Sequence, residues 1–275
     1  MPTGRRVNAH GGEGQCPPDG GSRPDRQGDL GGGRVWRRVA DGETNLAGQV
    51  SAESLAVLIA ARNEAETIGG AITALRDTFP GAAIWVADDA SEDGTNEIAM
   101  SAGAQVVRRG RVHGKGGNMT ACAEAMLSAP GLPETVLLCD ADLALSAGQL
   151  GRLVDAVEAG ECDLAVAAFA RRVGGGFGIA LGFSRWVIQK RCGFLADAPI
   201  SGQRAMKLEV LRAVLPFAPA YGMETGMTID AVRAGYRVGE YELELAHRAT
   251  GKSLGGFIHR FRQMLDFARV YFSRR

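Results

Sequence analysis

The chain has 275 residues, 45% of them apolar, and 31 Lys plus Arg balance 31 Asp plus Glu. That is enough apolar material for a full core in one or two domains, and the neutral balance excludes a global field directed at nucleic acid or an anionic surface. Five cysteines at 16, 122, 139, 162 and 192 form no CxxC pair, which argues against a disulfide framework or a cysteine zinc cluster and suits a reducing, cytoplasmic setting.

Residues 1–50 hold twelve Gly and four Pro with few large apolar side chains. Such a segment cannot offset its ordering entropy by burial, so a disordered tail is expected. Residues 51–250 carry 18 basic and 24 acidic residues and alternate between two patterns. LAVLIAA (55–61) reads as a strand, Glu64 to Thr78 as a helix and AAIWVAD (82–88) as a second strand. A short helix over Thr95 to Ala102, a strand over Ala104 to Arg108 and a helix over Asn118 to Leu127 follow. ETVLLCD (134–140) is the next strand, Ala147 to Ala159 a helix and DLAVAAF (163–169) another strand. Short apolar strands alternating with amphipathic helices predict a mainly parallel α/β sheet covered on both faces. In such sheets ligands bind beyond the carboxyl ends of the strands.

Polar residues collect at those ends: Arg62, Asn63 and Glu64 after the first strand, Asp88 and Asp89 after the second, Asp140 and Asp142 after the fourth. Two carboxylates separated by one residue of extended chain point to one side, and a shared cation relieves their repulsion. Hard oxygen ligands suit Mg²⁺ or Mn²⁺, which commonly bridge a diphosphate. Gly114-Lys115-Gly116-Gly117 precedes a helix, where backbone amides can approach a phosphate, although the spacing is not that of a P-loop. A surface turn is the plainer reading of that loop. Glu224 stands at the start of an apparent helix, Gly226 to Ala234, and its plain role is an acid favoured by the helix dipole. His247 follows the alternating segment Tyr241 to Ala246, either as a structural histidine or as a further metal ligand.

Residues 251–275 carry six basic residues and one acid, with Leu254, Phe257, Ile258, Phe261, Met264, Leu265, Ala268, Tyr271 and Phe272 at helical spacing. An amphipathic helix packed on the domain is expected. A peripheral contact at the inner face of a membrane and a homodimer contact are the other occupants such a helix admits. Arg171, Arg172 and the glycines 174–176 suggest a mobile loop, and Arg185, Lys190 and Arg191 either hold an acceptor phosphate or form a solvated face.

AARNEAETI (60–68), VADDASEDGT (86–95), GKGGNM (114–119), CDADL (139–143), SGQRA (201–205), YGMETGMTIDA (221–231) and AHRATGK (246–252) occur in one order over about 200 residues. In this the chain resembles the family-two type of glycosyltransferase with the GT-A fold, with similarity to glucosyl-3-phosphoglycerate synthases and polyprenyl-phosphate sugar transferases. The resemblance implies a metal-dependent enzyme moving a sugar from a nucleoside diphosphate donor, UDP favoured, to a hydroxyl or a phosphate. It implies that Ala60, Ala61, Arg62 and Glu64 line the nucleoside pocket. Asp89 would stand by the base or ribose, Lys115 near the nucleotide and Asp140 near the ribose. Asp142 and His247 would bind the metal, Glu224 would face the acceptor as base or anchor, and Ser201 to Arg204 would border the sugar or acceptor. A sugar-phosphate nucleotidyltransferase and a non-catalytic nucleotide-sugar-binding protein are the alternatives. The first is disfavoured because the opening strand lacks a glycine-rich, arginine-containing phosphate loop.

Overall fold

The computed structural model describes residues 54–169, 178–245 and 255–274. The expected tail, the glycine-rich loop with Arg171 and Arg172, and His247 all lie outside the described residues. The first half follows the strand and helix alternation: β1 (Leu55–Ala61), α1 (Ile68–Thr78), β2 (Ala83–Asp88), α2 (Thr95–Ser101), β3 (Gln105–Arg108), α3 (Lys115–Ser128) and β4 (Thr135–Asp140). A 3₁₀ stretch, Ala141–Leu150, leads into α4 (Gly151–Glu158) and β5 (Leu164–Phe169). Then come α5 (Gly178–Cys192), β6 (Arg204–Lys207), α6 (Leu208–Val214), α7 (Met223–Arg233), β7 (Val238–Leu243) and α8 (Gly255–Ser273).

Among the described residues seven strands form one sheet in the order β3-β2-β1-β4-β6-β5-β7. β1 pairs in parallel with β2 and β4, β2 with β3, and β5 with β7, while β6 runs antiparallel between β4 and β5. Alternate residues explain why the strands read as unbroken apolar runs. Val57, Ile59, Leu137 and Cys139 face a core with Ile68, Ile72 and Leu75 of α1 and Leu153 and Val154 of α4. Leu58, Trp85, Val136 and Leu138 face a second core with Met119 and Met126 of α3, Val187 and Ile188 of α5, and Val270 of α8. Helices thus cover both faces, as a mainly parallel sheet requires. The expected C-terminal helix is present as α8, in which Phe267 and Val270 are buried. Cys122, Cys139, Cys162 and Cys192 are free thiols, and burial pushes Cys122 up to about 12.

The distal half of the sheet is tied by Asp163 beside β5. Its carboxylate meets Lys207 Nζ of β6 at 2.8 Å and accepts from Arg237 Nη2 at 3.1 Å and from the Arg237 backbone amide at 2.9 Å. Burial works against the charged form, but these bonds outweigh it and hold the carboxyl well below the usual carboxylate range. Asp163→Asn is expected to cost about 2 kcal/mol near neutral pH, because three donors lose a buried charged acceptor. A depressed carboxylate stabilises in full above the unfolded value of about 4, and its contribution fades as pH falls toward the folded value. Urea unfolding at about pH 7 and about pH 2 checks this: the gap between parent and variant should shrink in acid.

Candidate active site

The parallel register aligns the carboxyl ends of three strands, with Ala60 opposite Asp140 and Ala61 opposite Asp88. The acids at the end of β2 build loops. Asp88 is fully buried; its Oδ1 accepts from Ser91 N at 3.0 Å and its Oδ2 pairs with Arg108 Nε at 3.4 Å. Asp89 accepts from the backbone amides of His113 at 2.8 Å and Gly114 at 2.9 Å, so it clamps the segment that enters α3. Asp93 accepts from Ala65 N at 3.0 Å and Thr95 N at 3.1 Å, while Glu64 N donates to Thr95 Oγ1 at 2.8 Å. The β1–α1 turn carrying exposed Arg62 and half-buried Glu64 is therefore stitched to the β2–α2 turn.

The loop 114–117 differs from its sequence reading. α3 begins at Lys115, so Gly116 and Gly117 lie in its first turn rather than ahead of it. Gly114 sits at φ +76°, where a side chain would be strained. A Cβ on Gly116 would run into the carbonyl oxygen of Ala218, with the Ala218 carbonyl carbon at 3.0 Å. Clamped by Asp89 and packed on Ala218, this is a built N-terminus with its free amides at the sheet edge.

Lys115 organises the rest. Its Nζ lies 2.6 Å from Asp140 Oδ1 and 2.8 Å from Glu224 Oε1. Gln203 Nε2 donates to Asp140 Oδ2 at 3.2 Å. Burial works against the ammonium, yet the charges of Asp140 and Glu224 and the bonds to them outweigh it and hold the lysine above its ordinary value. Glu224 is only 5% exposed and sits in the first turn of α7, where the dipole also favours its charge. Gly202 makes room for the group: a Cβ there would lie 2.6 Å from Asp140 Oδ2 and closer still to Lys115 Nζ.

Arg204 was expected along a pocket wall and is instead fully enclosed. Its Nε donates to the Ser201 carbonyl at 2.8 Å and its Nη1 to Thr228 Oγ1 at 2.9 Å. Thr228 Oγ1 in turn donates to the Glu224 carbonyl at 3.1 Å. Burial lowers the guanidinium to about 10, against the pull of Glu224 and Glu240. The arginine thus anchors the SGQR turn to the helix that carries Glu224. Flanked by Gln203 and by only two apolar residues before Lys207, the arginine carries no local signal of this burial.

Asp142 follows in the first turn of the 3₁₀ stretch and is half-buried. The pair Asp140 and Asp142 offers hard oxygen donors, and Asp140 already takes a cationic group, the Lys115 ammonium, at 2.6 Å. That chemistry fits Mg²⁺ or Mn²⁺. Among the described residues no three His, Cys, Asp or Glu converge as a metal cluster, and His247 lies outside them. Two open depressions, of about 390 Å³ beside Ser91 and Arg109 and about 740 Å³ beside Glu134 and Lys207, do not contain the Lys115 group.

Comparison with known proteins bears on this arrangement. A family model, Glycosyl transferase family 2, matches residues 56–205. Undecaprenyl-phosphate mannosyltransferase of Micrococcus luteus is 30% identical over 212 residues, which are 71% of this chain and 85% of that protein. Glucosyl-3-phosphoglycerate synthase of Mycolicibacterium paratuberculosis is 29% identical over 72% of this chain and 65% of that protein. The crystal structure of glucosyl-3-phosphoglycerate synthase from Mycobacterium tuberculosis with Mn²⁺, uridine diphosphate and phosphoglyceric acid superposes with a TM-score of 0.63 at 26% identity, covering 79% of this chain and 78% of that one. The shared architecture is the GT-A fold.

Proposed function

The chain belongs to glycosyl transferase family 2, and from that membership we propose that it transfers a sugar from a nucleoside diphosphate sugar, UDP-linked by preference, to a phosphate-bearing acceptor in a metal-dependent reaction. The observation that carries this reading is the Lys115 ammonium held between Asp140 and Glu224 at the carboxyl edge of the sheet. It gathers a cation, a D-x-D carboxylate and an acid where α/β sheets bind ligands. UDP and Mn²⁺ in a 26%-identical structure support the donor and metal, and the two named relatives support an acceptor of lipid-phosphate or phosphoglycerate type.

In this reading Ala60, Ala61, Arg62 and Glu64 line the nucleoside pocket, and Asp89 acts by holding the α3 entry against it. Lys115 and the amides of the first turn of α3 meet the diphosphate, where their charge counts most as the sugar–oxygen bond breaks. Asp142 and His247 would hold Mg²⁺ or Mn²⁺, with Asp140 beside them toward the ribose. A divalent cation there would supply charge neutralisation for the departing diphosphate. Glu224 takes the proton of an acceptor hydroxyl as its oxygen bonds to the anomeric carbon, or orients an acceptor phosphate that brings no proton.

A donor screen tests the proposal: release of nucleoside diphosphate from UDP-glucose, UDP-N-acetylglucosamine and GDP-mannose, with Mn²⁺ or with EDTA. The acceptors are a polyprenyl phosphate, 3-phosphoglycerate and free sugars. The expected result is Mn²⁺-dependent UDP release that requires a phosphate-bearing acceptor. Pyrophosphate release from a nucleoside triphosphate and a sugar phosphate would overturn it, as would donor binding without turnover on every acceptor.

A further inference from the structure

α5 and α8 share an aromatic seam that the donor site does not use. Trp186 of α5 stacks on Phe183 one turn before it, with centroids 5.6 Å apart, and on Tyr271 of α8 at 5.1 Å. Phe272 meets Tyr271 edge-on at 5.3 Å, and the Arg191 guanidinium lies 3.7 Å over the Tyr271 ring. Rings that are so well partnered would ordinarily be covered, yet Trp186 is 41% and Phe272 61% exposed. Cations stand one turn from them: exposed Lys190 follows Trp186 by four residues, and Arg269, with a side chain 72% exposed, precedes Phe272 by three. Near the seam stand Arg185, Lys190 and Arg191 of α5 and Arg269 of α8, and the acids facing them are Asp197, 3.7 Å from Arg185, and Asp266, 2.8 Å from Arg269. In a chain of zero formal net charge four cations against two acids leave a local basic excess beside the exposed rings.

We propose that this face rests on an anionic lipid bilayer, with the Phe183, Trp186 and Phe272 rings at headgroup depth and Lys190 and Arg269 on the lipid phosphates. Amphipathic rings favour that depth, and basic side chains beside them gain from the negative surface potential. No helix among the described residues is long and apolar enough to cross a membrane, and the contact proposed is with the bilayer surface. A second copy of the chain is the poorer occupant, because a two-fold contact would set this basic excess against itself. The proposal goes beyond the sugar-transfer reading and can fail while that reading stands, since UDP release from soluble components needs no vesicle.

The experiment is co-sedimentation of the full chain with vesicles of phosphatidylcholine alone or with about a third phosphatidylglycerol, alongside sedimentation velocity without lipid. The expected result is binding to the anionic vesicles, loss in high salt, and at least about a twentyfold weaker partition for K190E/R269E, from a several-fold loss per charge. W186A/F272A should weaken binding about tenfold and remove the lipid-induced blue shift of tryptophan emission. Thermal melting and UDP calorimetry confirm that both variants fold. Three results would overturn the proposal: no binding to anionic vesicles, equal binding to neutral ones, or a lipid-free dimer that W186A/F272A turns into monomer.

Discussion

Glu224→Gln is expected to lower kcat by about 10²–10⁴-fold on a hydroxyl acceptor and to leave the donor Kd within about twofold. Glutamine keeps the shape and can still accept from the Lys115 ammonium, which stands 2.8 Å from Glu224 Oε1. What it cannot do is take a proton. Glu224 is 5% exposed and rigidly placed, because Arg204 fixes Thr228 and Thr228 holds the first-turn carbonyl of Glu224. The variant should therefore fold like the parent, and the loss should fall on the chemical step. Steady-state kinetics with calorimetry for UDP separates the two. A loss of under tenfold, with an equal loss on an acceptor that attacks through phosphate, would instead make Glu224 an anchor for acceptor groups.

Much of this arrangement was legible before any coordinates. β1, β2, β4 and β5 are buried on both faces, so they read as continuous apolar runs, and their ends stand within a residue or so of the expected places. The D-x-D acids were legible for the same reason, since a carboxylate closing such a run must leave the core at a fixed point. Other parts left no local trace. β6 is four residues long, begins with a buried arginine, and inserts antiparallel between β4 and β5. No alternation marks it. α3 starts at Lys115 rather than at the expected Asn118: glycine is a poor helix former, yet contact with Ala218 demands it at 116 inside the helix. The helix expected over Ala147 to Ala159 is split, with 3₁₀ geometry up to Leu150 and α-helix from Gly151.

The pairing of Lys115 with Glu224 is the clearest case of information that only the fold supplies. Neither residue has a neighbour in sequence that announces the other. Their meeting depends on Asp89 clamping the α3 entry, on Gly202 leaving space, and on Arg204 holding α7. The acids after β2 and after β4 looked equivalent in sequence, as carboxylates delivered to one edge. The structure separates them by partner: Asp88, Asp89 and Asp93 all accept from loop backbone amides, whereas Asp140 meets a lysine ammonium and a glutamine side chain.

Lys115→Met is expected to have two effects that no surface lysine would show. Turnover should fall by about 10²–10³-fold, the usual loss when a donor aimed at developing oxyanion charge is removed. The ligand-free protein should also lose about 2 kcal/mol, because Asp140 and Glu224 would face one another without the cation that now sits within 2.8 Å of both. The side chain is 28% exposed, so water screens part of that repulsion and keeps the cost below that of a fully buried pair. A double-mutant cycle isolates the electrostatic part. If repulsion causes the loss, Lys115→Met with Glu224→Gln should be more stable than Lys115→Met alone by about 1 kcal/mol, as expected for directly contacting charges. Urea unfolding of the four proteins measures it. Strict additivity would mean that the lysine stabilises through packing of its stem, and the pairing would then have no part in holding the site together. Mn²⁺ should also rescue the stability of Lys115→Met more than that of the parent, since Asp140 would no longer be shared with an ammonium.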